Sequence, residues 1–247
     1  MERAEYERLA ALDRRLWWFS GLHAQVAGAL GRHGEWAADE RVLDAGCGTG
    51  GLLVSLRDRM PAIELFGLEL DAIAAGVARS ATGRPVAGGS VNRLPFRDRT
   101  FAAIVCADVL CHRGVEETTA LQEFRRCLQP GGLLVLNLPA YGWLLSQHDL
   151  AVHNVRRYTA GGVRSLLASA GFAGIRIGYW NTILFPLMAL RRKLGWRREG
   201  MPASDVVLMP APVERLFATI VALEAALVGG GLRFPFGGSV LATAVRP

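Results

Sequence analysis

Residues 41–51, RVLDAGCGTGG, decide how the rest of the chain is read. Val42 and Leu43 open a short apolar run that predicts a buried strand; it enters a glycine-rich turn, and a helix follows from Gly51 or Leu52. Gly46, Gly48 and Gly50 carry no Cβ, so a ligand can lie against the backbone there. A strand, a glycine turn and a helix in this order predict an α/β domain with a small molecule at the turn.

The charge of that molecule follows from the residue before the turn. Gly46, Gly48 and Gly51 satisfy the G-x-G-x-x-G spacing of a dinucleotide fingerprint, whose turn and helix N-terminus receive a pyrophosphate. Asp44, just ahead of the first glycine, would repel a pyrophosphate and suits a ligand bearing an ammonium or sulfonium group. The acid favours a cationic cofactor; an NAD-dependent oxidoreductase stands as the alternative.

VLDAGCGTG resembles the first motif, D-x-G-x-G-x-G, of the class I S-adenosylmethionine-dependent methyltransferases. The resemblance implies a Rossmann-like α/β fold: a seven-stranded, mostly parallel sheet with helices on both faces and the last strand antiparallel. It also implies S-adenosyl-L-methionine as cofactor and methyl transfer by in-line displacement. On this resemblance Asp44, Ala45, Gly46, Cys47, Gly48 and Gly50 hold the methionine end of the cofactor. Glu69, at the end of a second apolar run and at the offset where a βαβ unit presents an acid, holds the ribose with Leu70 beside it. Asp71 reads as the cap of the next helix.

Further on, GSVNRLPFRDRTFAAIVCADVLCH resembles the methyltransferase type 11 group, with two departures. Ser90 stands where that group usually has an aspartate facing the adenine amine, and Ala102 replaces the aspartate of F-D. Ser90 and the backbone of Val91 are then the adenine contacts, and Ala107 and Asp108 line the crevice at the end of the fourth strand. These departures leave room for a catalytically silent binding module as a further alternative. His112 is either a base or a polar residue capping a helix, and the latter is favoured. Residues 116–128 form an amphipathic helix closed by QPGG before a fifth strand, LLVLNLP, so the resemblance covers residues 41–139.

The acceptor side is sought after the fourth and fifth strands, in PAYGWLLSQHDLAVHNVRRYT. Its dense polar cluster is His148, Asp149, His153, Asn154, Arg156, Arg157 and Tyr158, of which His148, Asp149, His153, Arg157 and Tyr158 are the candidate catalytic residues. A histidine has a suitable pKa for removing a proton from the nucleophile, so His148 is the expected base, with Asp149 orienting it or fixing the loop. Arg157 and Tyr158 are expected to touch the acceptor or a lid; alternatively, the cluster is a polar lid held by its own pairs. If the nucleophile is already anionic, no base is needed.

The chain of 247 residues suits a single domain: an N-terminal helical cap (1–36), a cofactor-binding core and lid (37–180), an insertion (181–236) and the last strand (237–247). Residues 2–33 read as helical, with Leu9, Leu12, Leu16 and Phe19 on one stripe. Trp18 either packs on the domain or closes the cofactor pocket. The insertion carries TILFPLMALRRKLGWRRE, apolar turning basic, so residues 183–198 fit an interfacial helix on anionic lipid, a homodimer interface, or the wall of a pocket for a lipophilic substrate.

A hydrophobic content of 51% with 20% charged residues excludes a disordered chain. The net charge of +6 is spread over scattered arginines and a cluster near 191–198 without a stacking platform, which disfavours nucleic acid. Cys47, Cys106, Cys111 and Cys127 lack metal-ligand spacing and read as reduced core residues; no metal is implied. The charged N-terminus lacks a signal-peptide core, so a cytoplasmic location is expected, peripheral to the inner face of the membrane if 183–198 meets lipid.

Overall fold

The computed structural model describes residues 10, 12–13, 15–34, 36–146, 149, 153–193 and 208–247, with the backbone alone at 191–193. Short aliphatic runs become strands: β1 (Arg41–Ala45), β2 (Glu64–Glu69), β3 (Val86–Gly88), β4 (Phe101–Ala107), β5 (Leu128–Pro139), β6 (Ala173–Trp180) and β7 (Ser239–Val245). They form one seven-stranded sheet in the order β3-β2-β1-β4-β5-β7-β6. β7 runs antiparallel to β5 and β6, and the other pairings are parallel. β1 and β4 are buried along nearly their whole length, as strands covered on both faces must be.

The covering helices are α1 (Trp17–Gly31), α2 (Gly51–Arg59), α3 (Ala72–Thr82), α4 (Glu117–Cys127), α5 (Ala160–Ser169), α6 (Phe185–Lys193) and α7 (Ala211–Gly229). Leu22, Val26, Leu53, Leu56 and Ala78 of α1, α2 and α3 fill one face against Val42 and Val105. On the other face Leu121, Phe124, Val163 and Leu167 of α4 and α5 meet Leu43 and Ile104. Asp71 caps α3 as expected, its carboxylate accepting from the N–H groups of Ile73 and Ala74 at 2.9 and 3.0 Å.

Two local expectations are corrected. The N-terminal stripe is not one helix through Leu16, because Leu16 is extended (φ −76, ψ 130) and α1 starts at Trp17. The Trp17 N–H is taken by the Glu214 carboxylate at 3.1 Å, so α7 supplies an anion to the positive end of α1. Leu9 lies outside the described residues. QPGG does not separate α4 from β5 but belongs to β5, where Gly131 and Gly132 pair with Arg246. A Cβ on Gly132 would stand 2.8 Å from the Gln129 carbonyl, so the bend requires glycine.

Within the insertion, α7 packs on α1: a Cβ on Gly21 would be 3.0 Å from both Val221 and Trp180, and Trp17 meets Phe217 edge-on at 5.5 Å. Trp18 packs on Phe19 and Trp180, at 5.0 and 6.0 Å between ring centres. Glu224, fully buried, accepts from the N–H groups of Thr182 and Ile183 and pins the exit of β6. Trp196 and the rest of 194–207 lie outside the described residues. Among the described residues no helix is long and apolar enough to cross a membrane.

Candidate active site

The carboxyl edge of the sheet collects the left-handed backbone. β1 is followed by Gly46 (φ +91), β4 by Asp108 (φ +54), β5 by Tyr141 (φ +60) just past Ala140, and β6 by Asn181 (φ +56). Three of these four carry side chains, and a residue held in that region costs of order 1–3 kcal/mol unless its surroundings require it. The strained residues ring the crevice where open α/β sheets bind ligands.

At the glycine turn the missing Cβ atoms have different uses. A Cβ on Gly46 would lie 2.3 Å from Val109 Cγ2, and one on Gly50 about 3.1 Å from Ala78, so these two glycines allow close packing of the protein itself. Only Gly48, of the three that were expected to bare the backbone to a ligand, faces open space. A Cβ on Gly51 would fall on the Asp13 carboxylate, 1.6 Å from Oδ2, which places Asp13 over the start of α2.

The turn is acidic. Asp44 is 2% exposed, and its Oδ2 is buried without a hydrogen-bond partner. Burial first, then Glu69 and Asp13, push its pKa up to about 8. Glu69 accepts from the Gly48 N–H and the Asp71 N–H, both at 2.9 Å. His23 lies 3.6 Å from Asp13, but burial and Arg59 hold its pKa near 4, so this is a contact of a neutral imidazole rather than an ion pair. A buried carboxylate with an orphaned oxygen is costly unless a cation reaches it. The donor set therefore fits a positively charged cofactor, and a pyrophosphate would meet three carboxylates.

Around the turn, Ala45 and Cys47 are buried, and burial holds the Cys47 thiol far above its usual pKa. Leu70 is 74% exposed at the end of β2. Ser90 accepts from the Asn92 N–H at 3.2 Å and keeps its own proton to donate, while Val91 is buried beneath it. Ala107 ends β4 and Asp108 follows it. These positions surround one stretch of the carboxyl edge, from β3 across to β4.

Asp108 belongs to a polar line that the sequence did not disclose. Asn137 of β5 donates to Asp108 Oδ2 at 2.9 Å and accepts from Trp180 Nε1 of β6 at 2.7 Å. The lone asparagine in LLVLNLP was the available signal. Burial raises the Asp108 pKa to about 7, while the Asn137 bond and the Arg157 charge pull the other way. His112 is half-buried, and burial and His153 shift its pKa downward; it forms a bridge with Asn154, and among the described residues it caps no helix, Glu116 standing at the cap of α4.

The cluster after β5 turns inward. Asp149 and Arg157 form a buried ion pair at 2.8 Å, and Asp149 also accepts from the Ser146 N–H and hydroxyl. Arg157 donates to the Ala140 carbonyl, and the Tyr158 hydroxyl to the Leu110 carbonyl at 3.0 Å. Arg157 and Tyr158 therefore hold the loops after β4 and β5 together instead of facing an acceptor, because their polar ends are spent on buried partners. His153 sits exposed at a left-handed turn (φ +61), its carbonyl accepting from the Arg113 N–H. Arg156, a member of the same polar stretch with no catalytic role assigned to it, reaches the His112 and Val115 carbonyls and Glu117. His148, the expected base, lies outside the described residues.

Beyond this line stands an aromatic wall. Tyr141 stacks on Tyr179 at 5.4 Å and on Trp143 at 5.9 Å, and Phe185 of α6 meets Tyr141 and Phe236 at 5.7 and 5.8 Å. Its rim is apolar and open to solvent: Trp143, Ile183, Leu187 and Leu190 are each about half exposed (55, 48, 54 and 53%).

Comparison with known proteins gives the same outline. A family model described as a methyltransferase domain matches residues 43–136. A malonyl-[acyl-carrier protein] O-methyltransferase of Geobacter sulfurreducens is 30% identical over 190 residues, covering 70% of this chain and 68% of that one. A demethylmenaquinone methyltransferase of Deinococcus radiodurans is 35% identical over 101 residues, 39% of this chain and 42% of its own length, so that match spans under half of the relative. Among solved structures, a putative methyltransferase of Haloferax volcanii bound to the Trm112 activator superposes with a TM-score of 0.62 at 22% identity, over 99% of this chain and 97% of that one. A geranyl diphosphate C-methyltransferase of Streptomyces coelicolor gives 0.61 at 18% identity over 90% and 75%. At such identities the structural likeness is one of fold.

Proposed function

The chain belongs to the class I S-adenosylmethionine-dependent methyltransferases, and from that premise we propose that it methylates a small, lipophilic acceptor held at the aromatic wall beside Asp108. S-adenosylmethionine supplies an electrophilic methyl group on a sulfonium centre. The oxidoreductase alternative is set aside with the family.

The observation that carries the cofactor assignment is the orphaned Asp44 oxygen next to the open backbone of Gly48. Asp44 would face the cationic end of the cofactor, Gly46, Gly48 and Gly50 shape the turn, and Glu69 would exchange its bond with Gly48 N–H for the ribose hydroxyls. Leu70 would cover the adenine, and the Ser90 hydroxyl and Val91 would meet its edge. Asp13 adds negative charge over the turn.

On the acceptor side the chain's task is to orient a nucleophile and take its proton. His148, the base expected from the sequence, lies outside the described residues, and among the described ones Asp108 is the group best fitted to that role. Its pKa near 7 lets it accept a proton at neutral pH, and Asn137 holds one of its oxygens while no protein donor among the described residues reaches the other. Asp149, Arg157 and Tyr158 position the loops around it. The apolar rim of Trp143, Ile183, Leu187 and Leu190 supports an acceptor delivered from a membrane surface, with α6 lying in the interface.

The test is incubation of the protein with deuteromethyl-labelled S-adenosylmethionine and separate lipid and polar extracts, read by mass spectrometry. Label entering the lipid fraction is the expected result. Label confined to polar metabolites would refute the acceptor class, and cofactor binding with no labelled product would make the chain a silent module.

A further inference from the structure

A second concavity lies away from the crevice, over the outer strands β7 and β6. It has a volume of about 350 Å³ and is walled by α1 and by the turn that ends α7. Its floor is the sheet face carrying Leu241, Thr243 and Arg176. Counting strands from β1 through β4 and β5 to β7 gives three spacings, so the floor is roughly 14 Å from the glycine turn's strand.

Three arginines from three elements line this groove, all of them exposed to solvent: Arg32 at the end of α1, Arg176 of β6, and Arg233 of the segment before β7. No aspartate or glutamate lines it, and none of the three forms a salt bridge among the described residues. Arg32 approaches closely because Gly28 has no Cβ; one placed there would be 3.2 Å from its Nη1. Burial and the charge of Arg176 both hold the Arg32 pKa below its ordinary value, so the two cations repel each other across the groove. Gln25 of α1 also lines it, 1% exposed, and its Nε2 is buried with no hydrogen-bond partner.

A buried amide without an acceptor is unfavourable, and the like charges of Arg32 and Arg176 repel each other. One anionic ligand relieves both. The remaining lining includes Trp180, Leu232 and Leu241, which is apolar. The volume exceeds what a bare phosphate needs.

We propose that this groove is a binding site for an organic phosphate, its phosphoryl oxygens taken by Arg32, Arg176, Arg233 and the Gln25 amide and its apolar part lying on Leu232, Val228 and the edge of Leu241. Arginine suits this ligand because its fork donates two parallel bonds to phosphate oxygens. The phosphate can belong to a free small molecule or to a lipid headgroup.

The test uses the full chain and two probes. Hexyl phosphate is titrated by calorimetry, and phosphatidylcholine vesicles with and without phosphatidic acid are tested by co-flotation. Saturable hexyl phosphate binding that weakens about tenfold or more in Arg176→Gln and is lost in the Arg32→Gln/Arg176→Gln/Arg233→Gln protein assigns a soluble ligand. Flotation that depends on phosphatidic acid and on the same arginines, without hexyl phosphate binding, assigns a headgroup. Gln25→Leu weakens whichever probe binds while raising the melting temperature of the free protein, since it removes an unpaired buried amide. S-adenosylhomocysteine affinity stays unchanged in every variant. If neither probe binds, or binding survives the triple substitution, the proposal is wrong.

Discussion

Asp44→Asn separates the charge of the turn from its shape. In the free chain the acid's pKa stands at about 8 against an ordinary 3.8, so most molecules at pH 7 carry it protonated. A sulfonium charge does not titrate, so the cofactor selects the ionised form and binding releases a proton. Between pH 6 and pH 7.5 the ionised fraction rises from about 1% to about 24%, and affinity for S-adenosylmethionine should climb about 20-fold. In Asp44→Asn this slope disappears and affinity at pH 7.5 falls by more than tenfold.

The linkage in the free chain has the opposite sign to that of an ordinary acid. A raised carboxyl binds more protons folded than unfolded, so stability is lost as pH rises from about 4 to about 8. At about 1.4 kcal/mol per tenfold, the cost at pH 8 is on the order of 5 kcal/mol, which the asparagine variant recovers in large part. Calorimetry in two buffers of different ionisation enthalpy measures the proton, and urea melts at pH 5 and pH 8 measure the stability. Affinity that is flat across this range, or an Asp44→Asn protein that binds like its parent, would refute the assignment of a cation to this carboxylate.

Asp108 as proton acceptor predicts a turnover rate that rises with pH through about 7 and then levels; Asp108→Asn removes this inflection and lowers kcat by about 10²–10⁴-fold while sparing cofactor binding. Asn137→Ala removes the bond that pulls the Asp108 pKa down, so the inflection moves to higher pH; stripping Trp180 Nε1 of its acceptor also costs about 1–3 kcal/mol in a urea melt. Gly46→Ala should destabilise the fold by about 2–4 kcal/mol, because φ is +91 and Val109 stands 2.3 Å from the new Cβ. Gly48→Ala should cost only about 1 kcal/mol of stability yet weaken S-adenosylhomocysteine at least tenfold, since its Cβ enters open space at the turn. Arg157→Ala leaves Asp149 charged in the interior and should cost about 3–5 kcal/mol by denaturant unfolding, with no change in the pH of the activity inflection beyond what losing a nearby cation adds upward.

Features governed by neighbours in sequence were legible. The strands read from aliphatic runs, the cap at Asp71 and the acid before the glycine turn depend on residues a few positions apart, and each stands where the pattern put it. Features governed by distant neighbours were not. Leu16 leaves the helical stripe because Glu214, far along the chain, takes the first N–H of α1. QPGG reads as a stop, yet Arg246 offers it a strand to pair with. A His-Asp-Arg-Tyr cluster looks catalytic by composition, and only the fold shows Arg157 and Tyr158 spending their donors on buried carbonyls. The arginine groove joins positions 32, 176 and 233, which share no pattern.

The line from Asp108 through Asn137 to Trp180 gives the strained strand ends a common purpose. Each of β4, β5 and β6 leaves the sheet through a left-handed residue carrying a side chain, at or just beyond the strand whose polar atom joins the line. Glycine would relieve the backbone at Asp108 but delete the carboxylate, and at Tyr141 it would delete the ring that stacks on Tyr179. The strain is tolerated because Asn137 and Trp180, both essentially buried, satisfy each other and fix the Asp108 oxygen against rotation. A carboxylate held this way keeps one oxygen for chemistry at the boundary between the acidic turn and the aromatic wall. On the proposed reading, Asp108 would then stand between the turn that faces the cofactor's cation and the wall that holds the acceptor, placed to take the acceptor's proton.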